Sequence, residues 1–176
     1  IIVCHDKTTR RTTGHEGVIA AMTQAELRAL DAGRWKAPEF AGEKLPLLEE
    51  QLALTPAGKT MLVEIKTGPE IVPELRRVFA ATGVTERQVT VISFNLDTLK
   101  AVRRELPAFR TLYLMGYKAP DAKDPKAKAP PSIDAVIRDA RSAGLTGLDL
   151  QYTWPLTAAD VKRVRDAGLE LHVWTV

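Results

Sequence analysis

The sequence predicts an α/β fold on a parallel sheet, a (β/α)8 TIM barrel of which about six of the eight βα units are represented. Three observations predict it. Short β-branched or apolar runs alternate with longer amphipathic, Ala-rich segments. Helix start and stop signals fall between those runs. No Gly-x-Gly-x-x-Gly follows any run, which weighs against the dinucleotide-binding version of an open sheet and leaves the barrel as the preferred architecture.

The predicted strands are residues 1–5, 61–66, 89–94, 110–115, 147–152 and 169–176. Each is a short β-branched or apolar run. The helices lie between them. Thr23-Gln24-Ala25-Glu26 is a capping-box sequence that opens a helix over residues 25–30, and Thr157-Ala158-Ala159-Asp160 does the same before residues 161–167. Gly33, Gly83, Gly144 and Gly168 follow candidate helices where a left-handed terminator is expected. Pro69 and Pro107 read as an early-turn residue and a stop.

The chain has 176 residues, 45% hydrophobic and 27% charged, ordinary values for a soluble protein with a sizeable core. We expect one partial barrel domain over residues 1–176. The chain opens inside a strand-like run without an initiator Met, so it reads as a segment of a longer barrel, lacking the first two strands and the C-terminal end. A targeting signal would then lie upstream of Ile1, which leaves cytoplasm and periplasm both open, as is the oligomeric state. No apolar run approaches the roughly 18 residues of a membrane span. The lone Cys4 excludes an intrachain disulfide and is expected to pack as a small hydrophobe. Net charge is +3 and the pI about 9.1, with Lys118, Lys123, Lys126 and Lys128 in one Pro- and Ala-rich stretch. That stretch reads as a solvated loop and not as a nucleic-acid groove.

Two polar groups close otherwise apolar runs: His5-Asp6 after Ile1-Ile2-Val3-Cys4, and Glu64-Ile65-Lys66 after Met61-Leu62-Val63. Strand alternation puts Leu62, Glu64 and Lys66 on one face and Val63 and Ile65 on the other. A carboxylate and an ammonium held there need a charged partner or a ligand, and a mutual salt bridge is the plain alternative to a site. Barrel chemistry collects at the carboxyl ends of strands, where His5, Glu64, Lys66, Ser93 and Trp174 all fall. Trp174 reads equally as core. His172 is taken as structural and His15 as solvated, while Asp149 and Gln151 share a strand face and either reach the mouth or serve as hydrogen-bonded supports.

Val3-Cys4-His5-Asp6, Arg11-Thr12-Thr13-Gly14, Leu30-Asp31-Ala32-Gly33, Leu45-Pro46-Leu47-Leu48-Glu49-Glu50, Val63-Glu64-Ile65-Lys66, Ser93-Phe94 and Val173-Trp174-Thr175-Val176 occur in this order along the chain. Together they resemble the glycerophosphodiester phosphodiesterase family. The resemblance implies metal-dependent hydrolysis of a glycerophosphodiester to sn-glycerol 3-phosphate and an alcohol. It implies that His5 is the catalytic acid or base after the family's third strand, and that Glu64 binds a divalent cation, Ca²⁺ or Mg²⁺. Lys66 would hold the phosphate or offset charge developing on it, and Trp174 and Phe94 would line the glycerol pocket. The family's His-Arg pair and Glu-x-Asp metal motif belong to its first two strands and do not occur within these residues. Two other readings are a non-catalytic phosphate- or glycerol-binding relative and a related lysophospholipid phosphodiesterase.

Overall fold

The computed structural model describes residues 1–118 and 130–174. They pack as two compact units, Ile1–Thr55 with Val78–Gly83, and Pro56–Arg77 with Val84–Val176.

The first unit is helical and loop-rich. Residues 1–5, predicted as a strand, do not form one: Ile2 makes a single antiparallel bridge to Leu47, with Val3 N–H donating to the Pro46 carbonyl (2.9 Å) and Leu48 N–H to that of Ile1 (2.9 Å). Apolar content makes a run compatible with a strand, but a strand exists only where a neighbour supplies a ladder. Here the neighbour is the turn before a helix. Helix α1 (Arg10–Thr13) stops at Gly14, whose φ of 72° is the left-handed conformation glycine adopts freely. The predicted capping box at Thr23 opens α2 (Gln24–Ala29), with Thr23 and Glu26 capping each other reciprocally. In α3 (Leu48–Ala53), Glu50 accepts from Leu47 N–H and takes a two-pronged bond from Arg28 of α2, at 2.9 and 2.7 Å. Leu27, Leu45, Leu48 and Leu52 are buried in this unit.

Gly33 was expected to terminate a helix in the left-handed conformation, and it does not. Its reason for being glycine is space: a Cβ there would run into the Phe40 carbonyl oxygen and lie 2.8 Å from the Glu43 Cβ. Gly83, Gly144 and Gly168 do have positive φ, at 68°, 66° and 74°.

The second unit is a parallel sheet of five strands, β1 (Met61–Glu64), β2 (Val89–Ser93), β3 (Arg110–Met115), β4 (Gly147–Gln151) and β5 (Glu170–Trp174). These match the predicted strands to within two residues, save that residues 175–176 lie outside the described residues. So do residues 119–129, and with them Lys123, Lys126 and Lys128; Lys118 is exposed. The strands pair in chain order. Helices α4 (Val72–Thr82, of which residues 78–82 belong to the first unit), α5 (Leu96–Glu105), α6 (Ile133–Ser142) and α7 (Ala158–Asp166) make the connections. Crossovers of one hand put every helix on the same face of a sheet ordered this way, which is the βα repeat of a (β/α)8 barrel and not of a doubly wound sheet.

Burial follows from that. The helix-facing set Val89, Val91, Thr111, Leu148 and Leu150 is completely buried. Each helix offers a matching stripe, such as Leu99 and Val102 of α5, Val136 and Ala140 of α6, and Val164 of α7. On the opposite face Ile92, Leu112 and Leu114 form a small apolar cluster with Trp174 against it. Leu62 and Val173 on the two outermost strands are half exposed.

Filling the space at Gly33 tests the close approach in the first unit. Gly33→Ala is expected to destabilise the protein by about 1–3 kcal/mol, because the atoms it meets are backbone and a Cβ that cannot swing away, and thermal unfolding measures it.

Candidate active site

The parallel register fixes which side chains share the face without helices. Glu64 pairs with Ile92, Ile92 with Leu112, Leu114 with Asp149, Asp149 with His172 and Gln151 with Trp174, so these side chains share one face that runs across all five strands. At its carboxyl end stand Glu64, Phe94 and Trp174, with Lys66 just beyond β1.

The Lys66 ammonium lies 2.8 Å from Glu64 Oε2, with both side chains mostly covered. This is the mutual ion pair that stood as the plain alternative to a site, and it holds both charges in one place on the strand end. Phe94 meets Trp174 edge to face, ring centres 5.8 Å apart. The Trp174 indole N–H donates to the Asp149 carbonyl at 3.1 Å, so the ring combines contact with the apolar cluster and a polar tether.

Ser93 is not at the mouth. It faces the helices, is buried, and donates to the Ile65 carbonyl (2.7 Å) while accepting from Asn95 N–H (3.1 Å). Strand parity is the reason: Ser93 follows Ile92 by one residue and points the other way. Gln151 supports a loop, its Oε1 accepting from Tyr117 N–H at 3.0 Å. His172 shares a face with Trp174 and contacts Glu170 Oε2 at 3.3 Å; the same oxygen is 3.5 Å from Arg110. Asp149, between these layers, is buried, and its Oδ1 has no hydrogen-bond partner among the described residues. Burial pushes its carboxyl above the usual carboxylate range, opposed by His172.

In the first unit His5 and Asp6 follow the Ile2 bridge. The His5 Nδ1 lies 2.9 Å from Asp6 Oδ1, and the Arg11 Nε–H donates to Asp6 Oδ2 at 2.6 Å. The Arg11 bond, then the His5 bond, hold the Asp6 carboxyl down at about 2. An ionised carboxylate only accepts, so Nδ1 carries the proton and Nε2 is left for chemistry. Asp6 and Arg11 stood in the sequence only as motif members; their contact is what gives them a role. His15 is exposed, as expected. Among the described residues no three His, Cys, Asp or Glu side chains converge as a metal cluster.

An in-order parallel sheet whose successive strands are joined through helices is the βα repeat of the (β/α)8-barrel proteins, and it carries an ion pair and an aromatic pair at its strand ends. The chain belongs to the glycerophosphoryl diester phosphodiesterase family, whose profile matches residues 1–176. It is similar to the glycerophosphodiester phosphodiesterase of Caldanaerobacter subterraneus, 36% identical over 128 residues, which are 68% of this chain and 52% of that protein. It is 28% identical to a glycerophosphodiester phosphodiesterase of Bacillus subtilis over 100% of this chain and 62% of that protein. The chain thus spans about half to three fifths of the length of these relatives. Among solved structures, an Oleispira antarctica phosphodiesterase in complex with the product sn-glycerol-3-phosphate superposes with a TM-score of 0.80 at 22% identity, over 99% of this chain and 67% of that one. That likeness carries the fold.

The raised carboxyl gives a signed prediction. A buried acid whose folded value lies above its unfolded value stabilises the fold at low pH and loses that contribution as pH rises through the folded value. Relative to the parent protein, Asp149→Asn is therefore expected to gain stability between pH 4 and pH 7, as read by thermal unfolding at both.

Proposed function

We propose that the whole protein hydrolyses glycerophosphodiesters to sn-glycerol 3-phosphate and an alcohol. The observation that carries this is the family match over residues 1–176; the roles given to His5, Glu64 and Lys66 are those the sequence resemblance implies.

A phosphodiester carries one negative charge and resists attack, so charge must be withdrawn while protons move on and off oxygen. Lys66 supplies a point charge to a phosphate oxygen. His5, with Nδ1 engaged by Asp6, uses Nε2 to take the proton of the attacking hydroxyl or to return one to the leaving alkoxide. Phe94 and Trp174 form an apolar wall for the carbon face of glycerol.

The donor chemistry of Glu64 fits a hard cation such as Ca²⁺ or Mg²⁺, and Glu64 is the one carboxylate of this chain assigned to hold it. Such a cation, when bound, supplies Lewis-acid polarisation of the phosphoryl oxygens. A shell of six or more oxygens needs donors besides Glu64, since no cluster forms among the described residues.

The test is release of sn-glycerol 3-phosphate from glycerophosphocholine by the complete gene product, with chelator and with Ca²⁺ or Mg²⁺ restored. Cation-dependent release is the expected outcome; none from folded, cation-supplied protein would favour a phosphate- or glycerol-binding relative. His5→Ala is expected to lower turnover by roughly 10²-fold or more with the fold retained. Glu64→Gln is expected to weaken cation affinity in a direct titration, and unchanged affinity would remove Glu64 as a ligand.

A further inference from the structure

The His5 side chain is 79% exposed, and the Asp6 contact is its hydrogen bond among the described residues. An imidazole so exposed would otherwise sample several rotamers and both tautomers. What fixes Asp6 therefore fixes His5. Asp6 is held by Arg11, and the Arg11 guanidinium lies over the Trp35 ring, 5.6 Å from its centre.

Both ends of that contact are anchored. On one side the segment from Asp6 to Gly17 closes on itself: Thr9 is fully buried, its Oγ1 donates to the His15 carbonyl (2.6 Å), and Thr9 N–H donates to the Gly17 carbonyl (3.0 Å). Arg11 rides on α1 inside this closed segment. On the other side the Trp35 indole N–H donates to the Ala32 carbonyl at 2.9 Å. The loop carrying it is cinched by Asp31, whose two oxygens accept from the backbone N–H of Gly33 (3.0 Å), Arg34 (3.0 Å) and Gly42 (2.9 Å) and from Arg34 Nε (3.2 Å). Those bonds hold the Asp31 carboxyl well below its usual range, so it is a permanent acceptor.

We infer that Arg11 and Trp35 are positioning residues for His5: the Trp35 ring seats Arg11, Arg11 fixes Asp6, and Asp6 holds the imidazole with Nδ1 protonated and Nε2 free. Its meaning for turnover rests on the reading of His5 as a proton-transfer residue. These are exposed ion-pair and ring contacts, which contribute little to stability. Their removal should then change the state of the imidazole without changing the fold.

The test is nitrogen-15 NMR of the imidazole in the complete protein, with turnover and thermal unfolding measured alongside. The parent protein is expected to show one protonated and one free ring nitrogen when the ring is neutral. Arg11→Ala and Trp35→Leu are expected to move both signals toward those of a freely solvated histidine. They should lower kcat about tenfold at unchanged KM and unchanged unfolding temperature. Trp35→Phe, which keeps a ring face for Arg11, should retain the parent signals. Unmoved signals in Arg11→Ala or Trp35→Leu would overturn the inference whatever turnover does, as would lost unfolding temperature with unmoved signals. Full turnover in His5→Ala would instead sink the proton-transfer reading alone, and the imidazole signals would still decide the positioning.

Discussion

The order in which the strands pair constrains most of what the second unit does. Parallel strands joined in sequence by crossovers of one hand put the connecting helices α5, α6 and α7 on one face. The other face then receives no helix, and whatever side chains the alternation sends there must suit one another across the strands. Ile92, Leu112 and Leu114 meet that demand with apolar packing, and Arg110 with Glu170 meets it with opposite charge. A one-residue slip in any ladder would exchange Ile92 for Ser93 and Leu114 for Tyr113 or Met115 on this face. The register is therefore what holds Glu64 and Trp174 on a common side.

Polar groups on such a face carry a desolvation cost, and each is met differently. Glu64 and Lys66 neutralise each other at the open end of the strands. Asp149, deeper, has no partner for one oxygen among the described residues, and its raised carboxyl is the physical trace of that burial. Trp174 uses the backbone of the same residue as a hydrogen-bond acceptor, so an aromatic wall and a buried acid share one anchor.

The first unit works by different means. Its small leucine core leaves the His5–Asp6 segment and the loop around Trp35 exposed, and side-chain-to-backbone bonds from Thr9 and Asp31 order them. Asp31 spends both oxygens on backbone N–H groups, which lets an exposed loop keep one conformation without a core of its own. Gly33 allows the loop to close, since any side chain there would collide with the Phe40 carbonyl.

The sequence by itself determined the periodic features. Apolar runs and capping signals located β1 to β5 and the helix starts at Thr23 and Thr157, because alternation and capping are local properties. The motif order identified the family and singled out His5, Glu64, Lys66, Phe94 and Trp174. Tertiary structure decided what depends on distant partners. Residues 1–5 found a turn where a strand would have needed a ladder, Ser93 fell on the helix-facing side, and Gly33 proved a matter of space and not of φ. It also brought Trp35 onto Arg11 from 24 residues away, a contact for which the sequence holds no signal. Local physics reads along the chain, whereas a ladder, a face and a stacked pair exist only once two separated segments meet.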